Sequence, residues 1–272
     1  MTDQYAVIGH PIAHSKSPQI HTMFAAQFKG QPAGDMIYEA IKAPLDGFAA
    51  TIERLRKAGY KGCNVTVPFK FEAFQLVTQL TARARAAQAV NTLKFDGDTI
   101  LGDNTDGAGL VRDIEHNFGI KLNNKHVILM GAGGAAYGVA KPLLQAGARL
   151  TLENRTREKA ELLAARLSAD NQVLFVVGYQ DNTPVDLIVN ATSSGLSDEM
   201  PPLPPLVFAP HALAYDMMYG RETPFMTFAR GQGAQVADGL GMLVEQAAEA
   251  FYIWRGMRPD TTPVIASLRS AL

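Results

Sequence analysis

One apolar run that stops at a glycine-rich turn constrains this chain more than any other feature: His126-Val127-Ile128-Leu129-Met130 leads directly into Gly131-Ala132-Gly133-Gly134-Ala135-Ala136. Gly131, Gly133 and Ala136 form a G-x-G-x-x-A pattern, which has meaning only where a strand ends and a helix starts at once. Gly131 permits the tight turn, Gly133 lets a pyrophosphate approach the backbone, and the small Ala136 lets the helix pack close to the strand. The unpaired amides at the helix start then face an anion. A tight turn without a ligand uses the same glycines, so the next strand matters. It reads Arg149-Leu150-Thr151-Leu152-Glu153 and runs into Asn154-Arg155-Thr156, with Arg157 and Lys159 close behind. An NAD site ends this strand in an acid on the ribose hydroxyl, roughly 20 residues beyond the glycines. A cationic, hydroxyl-bearing turn suits a 2′-phosphate instead, because a guanidinium makes two charge-assisted hydrogen bonds to it. NADP is therefore favoured over NAD. Glu153 leaves NAD use open if its side chain reaches the crevice, and Arg157 reads equally well as a solvated helix face.

The whole chain alternates short apolar runs with longer helical patterns, the mark of an α/β protein with largely parallel sheets. In the first third, strands are expected at Tyr5–Ile8, Met36–Ala40, Gly62–Val67 and Val90–Phe95, with helices at Gln19–Phe28, Asp46–Ala58 and Phe69–Leu80. Asp96-Gly97-Asp98 closes a hairpin into Thr99–Gly102, since Asp-Gly tolerates positive φ. A helix over Gly109–Asn117 precedes a second βα series, with strands at His126–Met130, Arg149–Glu153, Val173–Val177, Asp186–Asn190 and Leu213–Met217. Pro201-Pro202-Leu203-Pro204-Pro205 is a surface loop by its stiffness and lack of donors. The apolar helix Met242–Trp254 follows the completed second series and is expected to cross back to the first domain. The expected domains are 1–105 for substrate, 106–238 as a Rossmann domain for NADP, and 239–272 as C-terminal helices on the first domain, with the active site in the cleft between the two domains.

At 272 residues, 47% of them hydrophobic and 19% charged, the chain has apolar material for two such cores. Its formal net charge of −1 gives no drive toward nucleic acid or anionic membranes. Cys63 is alone, so neither an internal disulfide nor a cysteine zinc site is expected, and no metal is assigned. No segment approaches the roughly 18 uninterrupted apolar residues of a membrane helix. The N-terminus carries Asp3 and lacks the basic-then-apolar pattern of an export signal. A cytoplasmic protein, monomer or homodimer, with small-molecule partners is expected.

Polar residues gather at the strand ends of the first domain. Ser15 and Ser17 follow the first strand, and Ser17 before Pro18 serves as well for a helix N-cap as for ligand binding. Asn64 and Thr66 share one strand face by two-residue alternation, with Lys70 one turn into the next helix. Asp103-Asn104-Thr105-Asp106-Gly107 ends a further strand. Lys70 and Asp106 are the expected proton-transfer pair, since a lysine in a cleft beside a carboxylate can shuttle a proton to or from an alcohol oxygen. His14, nearest of six histidines to this cluster, is the rival carrier.

These segments, in order, resemble shikimate dehydrogenases. The likeness rests on His14-Ser15-Lys16-Ser17-Pro18, Asn64-Val65-Thr66-Val67-Pro68-Phe69-Lys70, Val90-Asn91-Thr92, Asp103-Asn104-Thr105-Asp106-Gly107, Gly131-Ala132-Gly133-Gly134-Ala135 and Asn154-Arg155-Thr156. It continues through Asn190-Ala191-Thr192-Ser193-Ser194-Gly195, Tyr215-Asp216-Met217 with Tyr219, and Asp238-Gly239-Leu240-Gly241-Met242. It spans essentially the whole chain. The resemblance implies NADPH-dependent, reversible reduction of 3-dehydroshikimate to shikimate, a step in making aromatic amino acids. It further implies that Ser15 and Ser17 bind the substrate carboxylate, that Thr66, Asn91, Tyr219 and Gln246 approach the carboxylate or ring hydroxyls, and that Lys70 and Asp106 act at the reacting oxygen. Gly131, Ala132, Gly133, Gly134, Ala135, Asn154, Arg155, Thr156, Lys159, Met217 and Gly239 fall to the cofactor. Family members often carry an acid where Ala82 stands, which bears on a peripheral cofactor contact. Three alternatives stand beside this reading: a quinate/shikimate dehydrogenase, an NADPH-sensing module without catalysis, and a methylene-tetrahydrofolate dehydrogenase.

Overall fold

Every residue of His126–Met130 is buried, as are five of the six in Val185–Asn190. A strand apolar on both faces needs cover on both, which helices on either side of a parallel sheet supply. The computed structural model, which describes residues 2–168, 175–179, 183–194 and 198–272, contains two such layered units. One comprises Met1–Gly109 with Val244–Ala271 and the other Leu110–Leu243.

The first unit is built from β1 (Asp3–Gly9), α1 (Ser17–Gln27), β2 (Met36–Lys42), α2 (Phe48–Lys57), β3 (Gly62–Val65), α3 (Lys70–Leu76), β4 (Gln79–Leu80), α4 (Ala82–Ala87), β5 (Thr92–Asp96), β6 (Thr99–Asp103) and the start of α5 (Asp106–Arg112). Among the described residues its sheet has six strands in the order β2-β1-β3-β5-β6-β4. Alternation along β1 sorts its side chains. Ala6 and Ile8 pack with Phe48, Ile52 and Leu55 of α2, while Tyr5 and Val7 face Tyr38, Ala250 and Trp254.

The second unit holds β7 (His126–Met130), α6 (Gly134–Gln145), β8 (Arg149–Glu153), α7 (Arg157–Ser168), β9 (Phe175–Val177), β10 (Val185–Asn190), β11 (Phe208–Asp216), α8 (Pro224–Gly231) and β12 (Gln235–Ala237). Among the described residues all its strand pairs are parallel, in the order β12-β11-β10-β7-β8-β9. Val127 and Leu129 pack with Val139, Leu143 and Leu163 on one face, and Ile128 and Met130 with Phe225 and Met226 on the other. Next, α9 (Leu240–Arg255) and α10 (Thr262–Arg269) bring the chain back to the first unit. There Trp254 Nε1 donates to Leu93 O at 2.9 Å, Lys94 Nζ to Ile253 O at 3.0 Å, and Tyr5 stacks on Trp254 at 4.7 Å.

Several elements differ from the sequence expectations. The expected hairpin is present, with Gly97 at φ +54° between antiparallel β5 and β6, but β5 also runs antiparallel to β3, so the first sheet is mixed. The helix expected over Phe69–Leu80 stops at Leu76. Val77 turns extended, Thr78 exchanges backbone and side-chain bonds with Ile100, and Gln79–Leu80 continues as β4 along β6. The helix expected at Gly109–Asn117 starts earlier, at Asp106, and ends in a π-helical turn over Asp113–Asn117. Both α8 and β12 lie where no element was expected. Thr223 caps α8 from Met226 N, with Pro224 at the first helical position. The unit boundaries fall inside α5 and α9, a few residues beyond 105 and 238. Residues 173 and 174 of the expected strand Val173–Val177, and Gly195, lie outside the described residues. Among the described residues no helix is long and apolar enough to cross a membrane.

His21 gives the first unit a pH dependence. Its ring is fully buried, stacks on Tyr38 at 4.1 Å, and among the described residues has no hydrogen-bond partner for either nitrogen. Burial pushes its pKa down to about 3. The unfolded chain takes up this proton near pH ~6.5 and the folded one does not. Stability is therefore complete above that pH and declines as pH falls, by roughly 1.4 kcal/mol per unit well below it. Urea midpoints between pH 7.5 and 5 are expected to fall in the wild type and to fall less steeply, by about one proton, in His21→Phe. An unchanged slope in the variant would remove His21 as the source.

Candidate active site

The strand ends of the first unit build a continuous hydrogen-bonded group. Lys70 begins α3 and Asp106 begins α5, and Lys70 Nζ lies 2.7 Å from Asp106 Oδ2. Their side chains are 29% and 15% exposed, sheltered yet open to a ligand. The other carboxylate oxygen, Oδ1, accepts from Asn91 Nδ2 at 2.8 Å. Asn91 in turn accepts through Oδ1 from Thr105 N at 2.9 Å and from Thr92 Oγ1 at 2.9 Å. Asn64 Nδ2 donates to Asn91 O at 3.2 Å and to Thr92 Oγ1 at 3.1 Å, and Tyr38 Oη donates to Asn64 Oδ1 at 2.7 Å. Gln246 on α9 joins at the far side, its Oε1 accepting from Thr105 Oγ1 at 3.3 Å. Thus Lys70, Asp106, Asn91 and Gln246 fall into one network, linked through Thr105. Burial pushes the Tyr38 phenol well up, so it stays a donor to Asn64 at ordinary pH.

Ser15 and Ser17 stand at the start of α1, and the structure alters how Ser17 is read. The N-cap is Lys16 without a side-chain bond, and buried Ser17 is already the first helical residue. Its N–H donates to Ser15 Oγ at 3.3 Å, so Ser15 supplies the local capping contact expected of Ser17. Thr66 follows β3, its N–H bonded to Ile8 O at 2.9 Å. His14 is exposed and stands outside the network. Tyr38 and Arg83 were missed from sequence. A tyrosine in an alternating strand and an arginine in a short helix carry no local mark of their partners.

In the second unit Gly131 takes φ +106°, a conformation glycine adopts freely, and a Cβ there would stand 3.0 Å from Ala191 O. A Cβ added to Gly133 would meet nothing within 4 Å. Gly133 caps α6, and the amides of Gly134 and Ala135 open its first turn beside half-buried Ala132 and exposed Gly133. Space over glycine, amides at a helix start and nearby cations are what a dinucleotide diphosphate requires. The cations follow β8. Arg155, Thr156 and Lys159 are exposed, and Asn154 Nδ2 donates to Thr156 O at 2.7 Å, which sets the turn. Among the described residues no carboxylate pairs with Arg155 or Lys159, whereas Arg157 pairs with Glu161 at 2.9 Å. Glu153 turns to the neighbouring chain segment and accepts from Tyr179 N. The residues present therefore fit NADP.

Three further sites lie around β11. Met217 N donates to Asn190 O at 3.0 Å, Gly239 N donates to Met218 O at 2.7 Å, and burial raises the half-buried Tyr219 phenol above its ordinary value. Buried Asp216 fixes this turn by accepting from Met218 N, Asn190 Nδ2 and Thr223 Oγ1.

Comparison with known proteins matches three family descriptions in order. The shikimate dehydrogenase substrate binding domain covers residues 7–93, the shikimate/quinate 5-dehydrogenase domain 113–196, and the shikimate 5′-dehydrogenase C-terminal domain 239–269. The shikimate dehydrogenase (NADP(+)) of Methylobacillus flagellatus is 58% identical, over 99% of this chain and 100% of that one. Among solved structures, an Ael1 enzyme from Pseudomonas putida superposes with TM-score 0.87 at 46% identity, covering 98% of each chain. Shikimate 5-dehydrogenase from Thermus thermophilus, solved in complex with NADP(H) and shikimate, gives TM-score 0.84 at 33% identity over 99% of this chain and 100% of that one. Sequence motifs, layered fold and full-length identity agree, and the chain belongs to the shikimate dehydrogenase family.

Proposed function

We propose that this enzyme interconverts 3-dehydroshikimate and shikimate with NADP(H), in the cytoplasm, as a monomer or homodimer. The observation that carries the reading is the 2.7 Å contact of Lys70 Nζ with Asp106 Oδ2, whose second oxygen is held by Asn91. A substrate unit formed by 1–105 with the C-terminal helices and a cofactor unit over 106–238 divide the work.

Bound NADPH supplies the hydride. Gly131, Ala132, Gly133, Gly134 and Ala135 hold its diphosphate through backbone amides, Asn154, Arg155, Thr156 and Lys159 its 2′-phosphate, and Met217 with Gly239 the nicotinamide. The chain's own chemistry is the proton. As the carbonyl carbon is reduced, negative charge grows on its oxygen, and the Lys70 ammonium gives that oxygen a proton; in oxidation the neutral amine takes the alcohol proton back. Asp106, fixed by Asn91, aims the ammonium and accepts a hydrogen bond from a neighbouring ring hydroxyl. Ser15 and Ser17 take the substrate carboxylate, which neutral hydroxyls tolerate because the start of α1 adds its dipole. Thr66, Asn91, Tyr219 and Gln246 bind the remaining polar groups.

Initial rates of nicotinamide reduction with shikimate and quinate, each against NADP and NAD, test the reading. Fast turnover of shikimate with NADP alone is expected. Comparable turnover of quinate with NAD would replace it by a broader quinate/shikimate dehydrogenase, and no turnover despite tight NADPH binding would replace it by a sensor.

A further inference from the structure

Asp106 sits on a turn whose backbone is held by side chains. Asn104 N donates to Asp103 Oδ1 at 2.7 Å, Thr105 N to Asn91 Oδ1 at 2.9 Å, and Asp106 N to Asn104 Oδ1 at 3.2 Å. Asp103, which begins the turn, is only 3% exposed, and its carboxylate is gripped from outside. Arg83 Nη2 reaches Oδ2 at 2.6 Å and Arg83 Nε reaches Oδ1 at 3.1 Å, with Thr81 Oγ1 on Oδ1 at 2.6 Å. The third guanidinium nitrogen, Nη1, donates to Glu249 Oε1 at 2.8 Å. Glu249 also takes Arg258, and it lies three residues beyond Gln246 on α9, so the two side chains share a helix face.

We propose that Arg83 is a positioning residue for the reaction: its guanidinium ties the Asp103–Asp106 turn to α9 so that Asp106 and Gln246 meet the substrate in one fixed geometry. The proposal rests on the dehydrogenase reading above. Burial disfavours the Arg83 cation, but the Asp103 and Glu249 carboxylates outweigh it and hold the group above the ordinary arginine value. Burial likewise disfavours the Glu249 carboxylate, and Arg258 and Arg83 outweigh it in turn. Buried ion pairs are a poor source of net stability, since desolvation offsets the attraction, so geometry is the better account of this one. The planar fork matters because one nitrogen pair serves Asp103 while the third nitrogen serves Glu249. A lysine ammonium is a point charge on a flexible stem and holds no such fork.

Arg83→Lys, which keeps the charge, is the decisive variant, and Arg83→Met is its companion. Hydrogen exchange measured without substrate reads the turn directly: the amides of residues 104–106 are expected to exchange about tenfold faster in Arg83→Lys, with β1 and β3 unchanged. In steady state kcat for shikimate falls about 30-fold, as misplacement of a catalytic group requires, while KM for NADP stays within about twofold. In a background carrying both Asp106→Asn and Gln246→Ala the same substitution costs less than about twofold, because both residues it positions are already lost. Equal losses in both backgrounds would mark a general structural role and overturn the proposal, as would wild-type exchange with wild-type kcat. A wild type inactive on shikimate would overturn the reaction instead. The exchange arm then still decides the clamp: faster exchange supports it and unchanged exchange overturns it.

Discussion

Lys70→Ala is expected to lower kcat for shikimate oxidation by about 10³-fold, with NADPH binding and thermal midpoint close to wild type. The size follows from what is removed. No other cation touches Asp106 among the hydrogen bonds of this network, whose remaining members are the neutral Asn91, Thr92, Thr105, Asn64, Tyr38 and Gln246. The oxygen then has only water to exchange its proton with, and positioned acid–base catalysis contributes about 10² to 10⁴. Stability changes little because the Lys70–Asp106 pair is partly exposed and such pairs contribute roughly 1 kcal/mol or less. Lys70→Arg restores the ion pair without restoring the rate, since a guanidinium does not release its proton. Tenfold or smaller loss in Lys70→Ala would move the proton carrier elsewhere, with His14 the next to test.

The glycine turn was legible from sequence because its constraint is local: a strand end, a positive φ at Gly131 and a helix start lie within a few residues. The contact of Lys70 with Asp106 was legible as two polar residues that follow strand ends of the first domain, although the helix that Asp106 opens was expected only from Gly109. What failed was long-range. The two residues of β4 owe their form to Thr78 and Ile100 across the sheet, and the antiparallel β5 reads like any other apolar run. One local reading also changed: Ser17, which served as well for an N-cap as for ligand binding, is the first helical residue, and Ser15 makes the capping contact. Arg83 is the extreme case, bridging Asp103 at 20 residues and Glu249 at 166 in sequence, a span no periodicity reports. Residues that bind by their own backbone geometry appear in a sequence, and residues that hold others in place do not.

Cofactor choice is the second large effect, and the variant that tests it is at Arg155. Glu153, the acid that could have served an NAD ribose, is engaged with Tyr179 N, while Arg155 stands exposed after the strand with no carboxylate partner among the described residues. Arg155→Ala is expected to raise KM for NADP about 10- to 100-fold, the worth of a pair of charge-assisted hydrogen bonds, and to leave KM for NAD within about twofold. The 2′-phosphate lies away from the reacting carbon, so this is uniform binding energy and kcat at saturating NADP is preserved. Added salt narrows the wild-type preference, because an exposed guanidinium–phosphate contact is screened within roughly 8 Å at physiological ionic strength. Equal rises in KM for NADP and NAD would mean that Arg155 shapes the turn rather than reading the phosphate. Glu153→Gln separates the neighbouring residue: if its carboxylate only holds Tyr179 N, the ratio of the two Michaelis constants stays as in the wild type, and a shift toward NADP would show that the acid also contacts the ribose.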